Sequence, residues 1–198
     1  MPALRSICVL SGLLFANLSG CASESNSDMP ASSPSKLDLG QSTHYSDELI
    51  SFDYPKHWKI IGNDVYNFGR LIRIEGLSDS NVSLTIFSDD LDMDFEEYCK
   101  SFTESMPASE GIATITKGTL IQVPTERENE QAADFHFMTD VSIEVASAKI
   151  PSTANYWKQV HGKIKVIGVT WVSDENRNDV NDGFQLIRDS LSLPNVNR

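Results

Sequence analysis

The segment from Tyr156 to Val172 constrains this chain most, because its apolar residues change phase part-way along. Ile164 and Val166 set one parity, and Ile167, Val169 and Trp171 continue on the other. Successive residues of a strand point to opposite sides of a sheet, so a strand with one wet face cannot carry this pattern. A bulge near Ile167-Gly168, or burial of both faces by helices, accounts for it. Two further β-rich stretches precede it, Ile112 to Val123 and Ala132 to Ala148. The polar loop Pro124 to Gln131 and the triplet Pro151-Ser152-Thr153 separate the three. All three read as long strands of one antiparallel sheet.

The first half adds shorter strands and a helix. Ile50, Phe52 and Tyr54 are apolar at period two and Pro55 stops them, which predicts a half-buried strand entering a turn. A second short strand starts at Trp58. Ile72 and Ile74, then Val82, Leu84 and Ile86, repeat the alternation around the polar connection Gly76 to Asn81, which predicts a hairpin. Asp94-Phe95-Glu96-Glu97 is an N-cap with Glu three residues on, followed by apolar Phe95, Tyr98, Cys99, Phe102 and Met106 on one helical face. Glu96 and Lys100 pair at i,i+4 on the wet face, and Pro107 closes the helix. Near the end, Asn178 or Asp179 caps a second helix carrying Val180, Phe184, Ile187 and Leu191, ended by Pro194. Gly183 lies within it at a cost of about 1 kcal/mol relative to Ala, so this helix depends on docking.

Acidic residues outnumber basic ones 28 to 16, a net charge of −12, so a polyanion meets repulsion over most of the surface and nucleic acid is not an expected partner. The N-terminus explains the rest of the composition. Arg5 gives a positive start and Ile7 to Leu18 form an apolar core of signal-peptide length, too short for a permanent span. Leu18-Ser19-Gly20-Cys21 then resembles the bacterial lipobox. Small side chains at Ser19 and Gly20 let an extended backbone enter a peptidase cleft, and the Cys21 thiol is the nucleophile that takes a diacylglycerol group. Residues 1–20 are thus expected as a lipoprotein signal peptide. The resemblance implies cleavage before Cys21 and acylation of the new amino terminus. Each buried CH₂ contributes about 0.8 kcal/mol, so several acyl chains anchor the chain to the bilayer permanently.

Cleavage removes Cys8 and Arg5 and no acid, moving the net charge from −12 to −13 and leaving Cys99 as the one free thiol. Residue 22 is Ala rather than Asp, which in enteric-type bacteria implies an outer-membrane destination facing the periplasm. Residues 21–44, rich in Ser, Asn, Pro and Asp, read as the lipidated cysteine and a disordered tether. About twenty such residues reach about 25 Å. A single domain is expected over residues 45–194.

Within that domain, Phe52-Asp53-Tyr54-Pro55-Lys56-His57-Trp58, the helix at Phe95-Glu96-Glu97-Tyr98, and a closing strand at Trp171 ahead of Phe184-Gln185-Leu186-Ile187-Arg188-Asp189-Ser190-Leu191 resemble PsbP-like and DcrB-like lipoprotein domains. The resemblance covers residues 48–193. It implies an α+β fold, an antiparallel sheet flanked by helices in an α/β/α sandwich. The group it points to is mostly non-catalytic and includes photosystem accessory subunits, a nuclear-transport GTPase partner and secretion-system chaperones. Such breadth transfers no single activity, because fold does not fix function.

The residues themselves offer little catalytic chemistry. His44, His57, His136 and His161 sit in separate elements without metal-ligand spacing. Cys99 falls on the apolar helix face as a small buried hydrophobe. Gly-x-Ser-x-Gly, Walker and dinucleotide fingerprints are absent, so neither a cofactor nor a catalytic residue is assigned. Asp90, Asp92 and Asp94 alternate like the first calcium-loop ligands, but Phe95 and Ser101 stand where such a loop needs Gly and Glu. Helix capping explains these acids more simply, and no metal site is assigned. Two functions remain open. One is a membrane-tethered, non-enzymatic binding or accessory module for a protein partner. The other is a periplasmic small-ligand-binding protein or enzyme whose site is assembled from distant residues such as Arg70, Arg73, His136 or Trp157.

Overall fold

The computed structural model describes residues 41–67, 69–87, 94–110, 112–123, 136–161 and 164–193. The chain opens with a hairpin, β1 (Ser42–Ser46) and β2 (Ser51–Pro55), which forms its own two-stranded sheet. β3 (Lys59–Tyr66), β4 (Gly69–Glu75) and β5 (Asn81–Phe87) follow as a meander, and helix α1 (Phe95–Ser105) comes next. Then come β6 (Ser109–Glu110), β7 (Ala113–Lys117), β8 (Ile121–Val123), β9 (His136–Val145), β10 (Ala148–His161) and β11 (Ile164–Ser173). A 3₁₀ turn at Asp174–Asn176 leads into α2 (Arg177–Ser190). The main sheet is antiparallel throughout, in the order β3-β4-β5-β11-β10-β9-β7-β6, with β8 also paired to β9.

The sheet separates two apolar cores. On one face α1 places Phe95, Tyr98, Cys99, Phe102 and Met106 against Phe137, Tyr156, Ile167, Val169 and Trp171. On the other, α2 and the β1–β2 hairpin bury Val180, Ile187, Ile50 and Phe52 against Trp58, Ile72, Leu84, Trp157 and Val166. Each large aliphatic or aromatic side chain so buried contributes about 1.5–3 kcal/mol. The expected antiparallel sheet with helices on its faces is therefore present, but it is richer in sheet than an α/β/α sandwich. Among the described residues each face has one helix, and on the second a hairpin shares the cover.

This arrangement resolves the phase change in β11. Its pairing with both β10 and β5 runs without a register shift, so there is no bulge at Ile167-Gly168. Val166 and Val172 point into the α2 core, and Ile167, Val169 and Trp171 into the α1 core. Gly168 faces α2, directly opposite Trp157. A Cβ there would lie 2.0 Å from Trp157 Cε2 and 2.2 Å from Cζ2, so the missing side chain is what lets the indole lie on the strand. Gly183 does the same for α2. A Cβ on it would come within 2.5 Å of Trp58 Cζ2 and 3.0 Å of Pro55 Cγ. The Pro55-x-x-Trp58 element thus docks the second helix, with Phe184 completing the contact edge-on at 5.4 Å between ring centroids.

Four expectations need correction. Pro151-Ser152-Thr153 is not a break: it lies inside β10, in unbroken register with Ser142, Val141 and Asp140 of β9. Proline is tolerated because β11 ends opposite Ser152, so on that side Pro151 has no strand to bond. The chain turns instead before Ala148, where Ala146 takes a positive φ of 56°. Tyr156 to Val172 is two strands rather than one, since His161 pairs with Ile164 and the connection falls at residues 162–163, outside the described residues. α2 begins at Arg177, before the expected caps Asn178 and Asp179, with Asn176 at the cap position and no side-chain cap bond. Finally, β1 starts at Ser42, so ordered structure reaches a little further back than residue 45.

Candidate functional site

The lipobox residues Leu18, Ser19, Gly20 and Cys21 lie outside the described residues, as do Asp89, Asp90 and Asp92. Asp94 acts as the helix cap that the sequence predicts, its Oδ1 accepting from Glu97 N at 2.9 Å. Cys99 is fully buried in the α1 core, and burial, reinforced by Asp94 and Glu96, pushes its thiol well above the ordinary range. Tyr98 and Tyr156, buried beside it, are satisfied by Thr85 (3.0 Å) and Thr103 (2.8 Å). Among the described residues no group of three or more His, Cys, Asp or Glu side chains is placed to hold a metal ion.

Arg70, Arg73, His136 and Trp157 are only partly brought together. Tyr156 pairs with Phe137, so His136 and Trp157 fall next to one another on adjacent strands. Arg70 shares the α2 face with Ile72 and Ile74, but three strands from Trp157, about 14 Å. Arg73 has the opposite parity and lies on the α1 face, its guanidinium occupying the space over Gly62 and its Nη2 donating to Asp64 at 2.9 Å. The four do not form one constellation.

What the fold does assemble is a polar junction where the N-terminal hairpin meets the sheet. Asp47 closes the β1–β2 turn, its Oδ1 accepting from the amides of Leu49 (2.8 Å) and Ile50 (3.0 Å). Its Oδ2 accepts from Tyr45 Oη at 2.5 Å and pairs with Arg70 of β4. Asn63 of β3 donates to Tyr45 Oη at 2.9 Å. Burial alone would raise the Asp47 pKa; the bonds from Tyr45, Leu49 and Ile50 with the Arg70 charge outweigh it and hold the carboxyl below its usual value. Tyr45 moves the other way, raised by burial and by its bond to Asp47. The junction therefore fixes an ionised aspartate against Arg70 and orients the hairpin through which the N-terminal segment enters. Gln41, at its mouth, accepts from Lys56 N at 3.0 Å.

Among the described residues β3, beside this junction, is the long open edge of the sheet, and the other edge is the two-residue strand β6. Its exposure alternates, and Ile61 and Val65 are 43% and 72% exposed. A register shift between Ile60 and Gly62 places a bulge at Ile61. An edge strand offers unpaired N–H and C=O groups to another chain, which makes this the most evident docking feature of the described surface. Sequence reading missed it because which strand ends a sheet is a property of topology. The charged Lys59 and Asp64 within this short strand are the signal that could have pointed to it.

No protein-family description matches the chain, and no curated protein resembles it in sequence. Two solved structures overlap with it in part. The solution structure of cyanobacterial PsbP (CyanoP) from Synechocystis sp. PCC 6803 is 13% identical over 83% of this chain and 99% of that one, with a TM-score of 0.46. The crystal structure of LpqN, a protein involved in cell envelope biogenesis of Mycobacterium tuberculosis, is 9% identical over 77% of this chain and 90% of that one, with a TM-score of 0.39. At this degree of overlap neither structure speaks to the family or the function of this chain.

Proposed function

We propose that this chain is a lipid-anchored protein of the bacterial cell envelope, serving as a non-enzymatic binding or accessory module for a protein partner. The observation that carries the reading is Leu18-Ser19-Gly20-Cys21 directly after Arg5 and the apolar segment Ile7 to Leu18. An acylated Cys21 commits the mature chain to a bilayer. Ala22 favours the outer membrane, facing the periplasm. The polar residues up to Gln41 act as the leash, and the domain presents an edge strand beside the point where that leash arrives. Converting Cys21 to Ser tests the anchor. The wild-type chain is expected in the membrane fraction, starting at Cys21 with a mass that includes acyl chains, and Cys21→Ser is expected in the soluble fraction. A Cys21→Ser chain that still sediments with membranes overturns the reading.

A further inference from the structure

We propose that the β3 edge docks a second copy of this chain, the two β3 strands pairing antiparallel about a two-fold axis between Ile61 and Gly62. The inference deepens the reading of the chain as a binding module by naming its partner; it does not need the lipid anchor. The argument is charge complementarity under symmetry. In an antiparallel self-pairing the numbers of facing residues have a constant sum, and facing residues share a face of the sheet. The bulge at Ile61 inverts parity, so Ile60 and Asn63 lie on the α2 face, whereas Gly62 and Asp64 lie on the α1 face. An axis between Ile61 and Gly62 matches faces on both sides of the bulge. It sets Ile60 against Asn63, and Lys59 against Asp64, twice.

The strand's two charged residues are then each other's partners across the interface. Asp64 can accept Lys59 while it retains Arg73, since its carboxylate is 42% exposed. Ile61, 43% exposed, sits beside the axis and is covered by its counterpart. A shift by one residue would set Lys59 against Val65 or Asn63, which lie on the opposite face, so the bulge disfavours it. A single strand pair buries little area, so the association is weak and transient in dilute solution. Holding both chains on one membrane raises their effective concentration.

The test is a pair of cysteines. Facing residues of antiparallel strands have Cα atoms about 4.5–5.5 Å apart, within the span of a disulfide. The full-length double variant Lys59→Cys with Asp64→Cys is oxidised mildly in native membranes, and again as a Cys21→Ser chain at high concentration. The expected result is a covalent dimer carrying a 59–64 linkage between chains, formed at least about ten-fold faster than with either single variant, neither of which sets two cysteines opposite one another. Within one chain residues 59 and 64 stand too far apart along the strand to bond. No dimer in either setting overturns the proposal. So does equal cross-linking by the single variants, or capture of a different protein through residue 59 or 64; that capture would leave the module reading standing. A chain that dimerises but is absent from membranes supports the proposal and refutes the anchor.

Discussion

Gly168→Ala adds one methyl to the most crowded point of the α2 core, and its effect follows from the structure. The new Cβ would sit 2.0 Å from Trp157 Cε2 and 2.5 Å from Nε1, well inside van der Waals contact. The backbone of Gly168 is held by ladders on both sides, to Trp157 and to Leu84, so the indole must give way. Trp157 is 4% exposed. An aromatic side chain of this kind buries roughly 150–250 Å², worth about 4–6 kcal/mol at about 25 cal/mol per Å² as an upper bound. Partial expulsion is therefore expected to cost about 3–5 kcal/mol. For a domain of this size that lowers Tm by about 6–20 °C. Urea unfolding followed by circular dichroism gives the stability change, and the cycle with Trp157→Ala identifies its cause. Trp157→Ala alone is expected to cost about 3–5 kcal/mol. With the ring gone the methyl has room, so adding Gly168→Ala to that variant should cost under about 1 kcal/mol. If the two losses simply add, ring and glycine do not compete for the same space and the account of β11 as a strand buried on both faces fails.

Two further outcomes follow from the polar junction and the buried thiol. The carboxyl of Asp47 is held below its ordinary pKa, so its contribution is present above the unfolded carboxylate value of about 4 and is lost as pH falls through the lower folded value. Asp47→Asn is expected to lower stability by about 1–2 kcal/mol at neutral pH, with the difference from wild type shrinking in acid; a difference that grows in acid contradicts the assignment. Cys99 should be inert to a neutral-pH thiol reagent in the folded domain and react fully in denaturant, because burial disfavours its thiolate. Stoichiometric labelling of the native domain within minutes refutes its placement.

Local chemistry made part of this fold readable in advance. Asp94, the Phe95-to-Met106 stripe and Pro107 determine α1 within a few residues of each other, and the structure agrees to the cap bond. The hairpin from Ile72 to Ile86 was equally local. Where the outcome depended on a distant neighbour, the reading failed. Pro151 is tolerated in β10 because β11 happens to end at Ser173, a fact about register more than twenty residues away. The start of α2 slipped because Asn176 takes the cap position without a side-chain cap bond, so the capping signal at Asn178 and Asp179 had no counterpart. The phase change in β11 admitted two explanations until the cover on each face was known. Of the functional features, the lipobox is purely local and legible, whereas the β3 edge exists only because eight other strands are placed elsewhere in the sheet.

The first and last elements of the domain are stitched together. Ser51 and Ser192 exchange two backbone hydrogen bonds at 2.8 Å, and Ser190 Oγ accepts from Asp53 N at 2.8 Å across 137 positions of chain. In a polypeptide delivered head first, the free side of β2 cannot be closed until the tail has arrived. That seam therefore ties the closing of the first sheet to the very end of the chain.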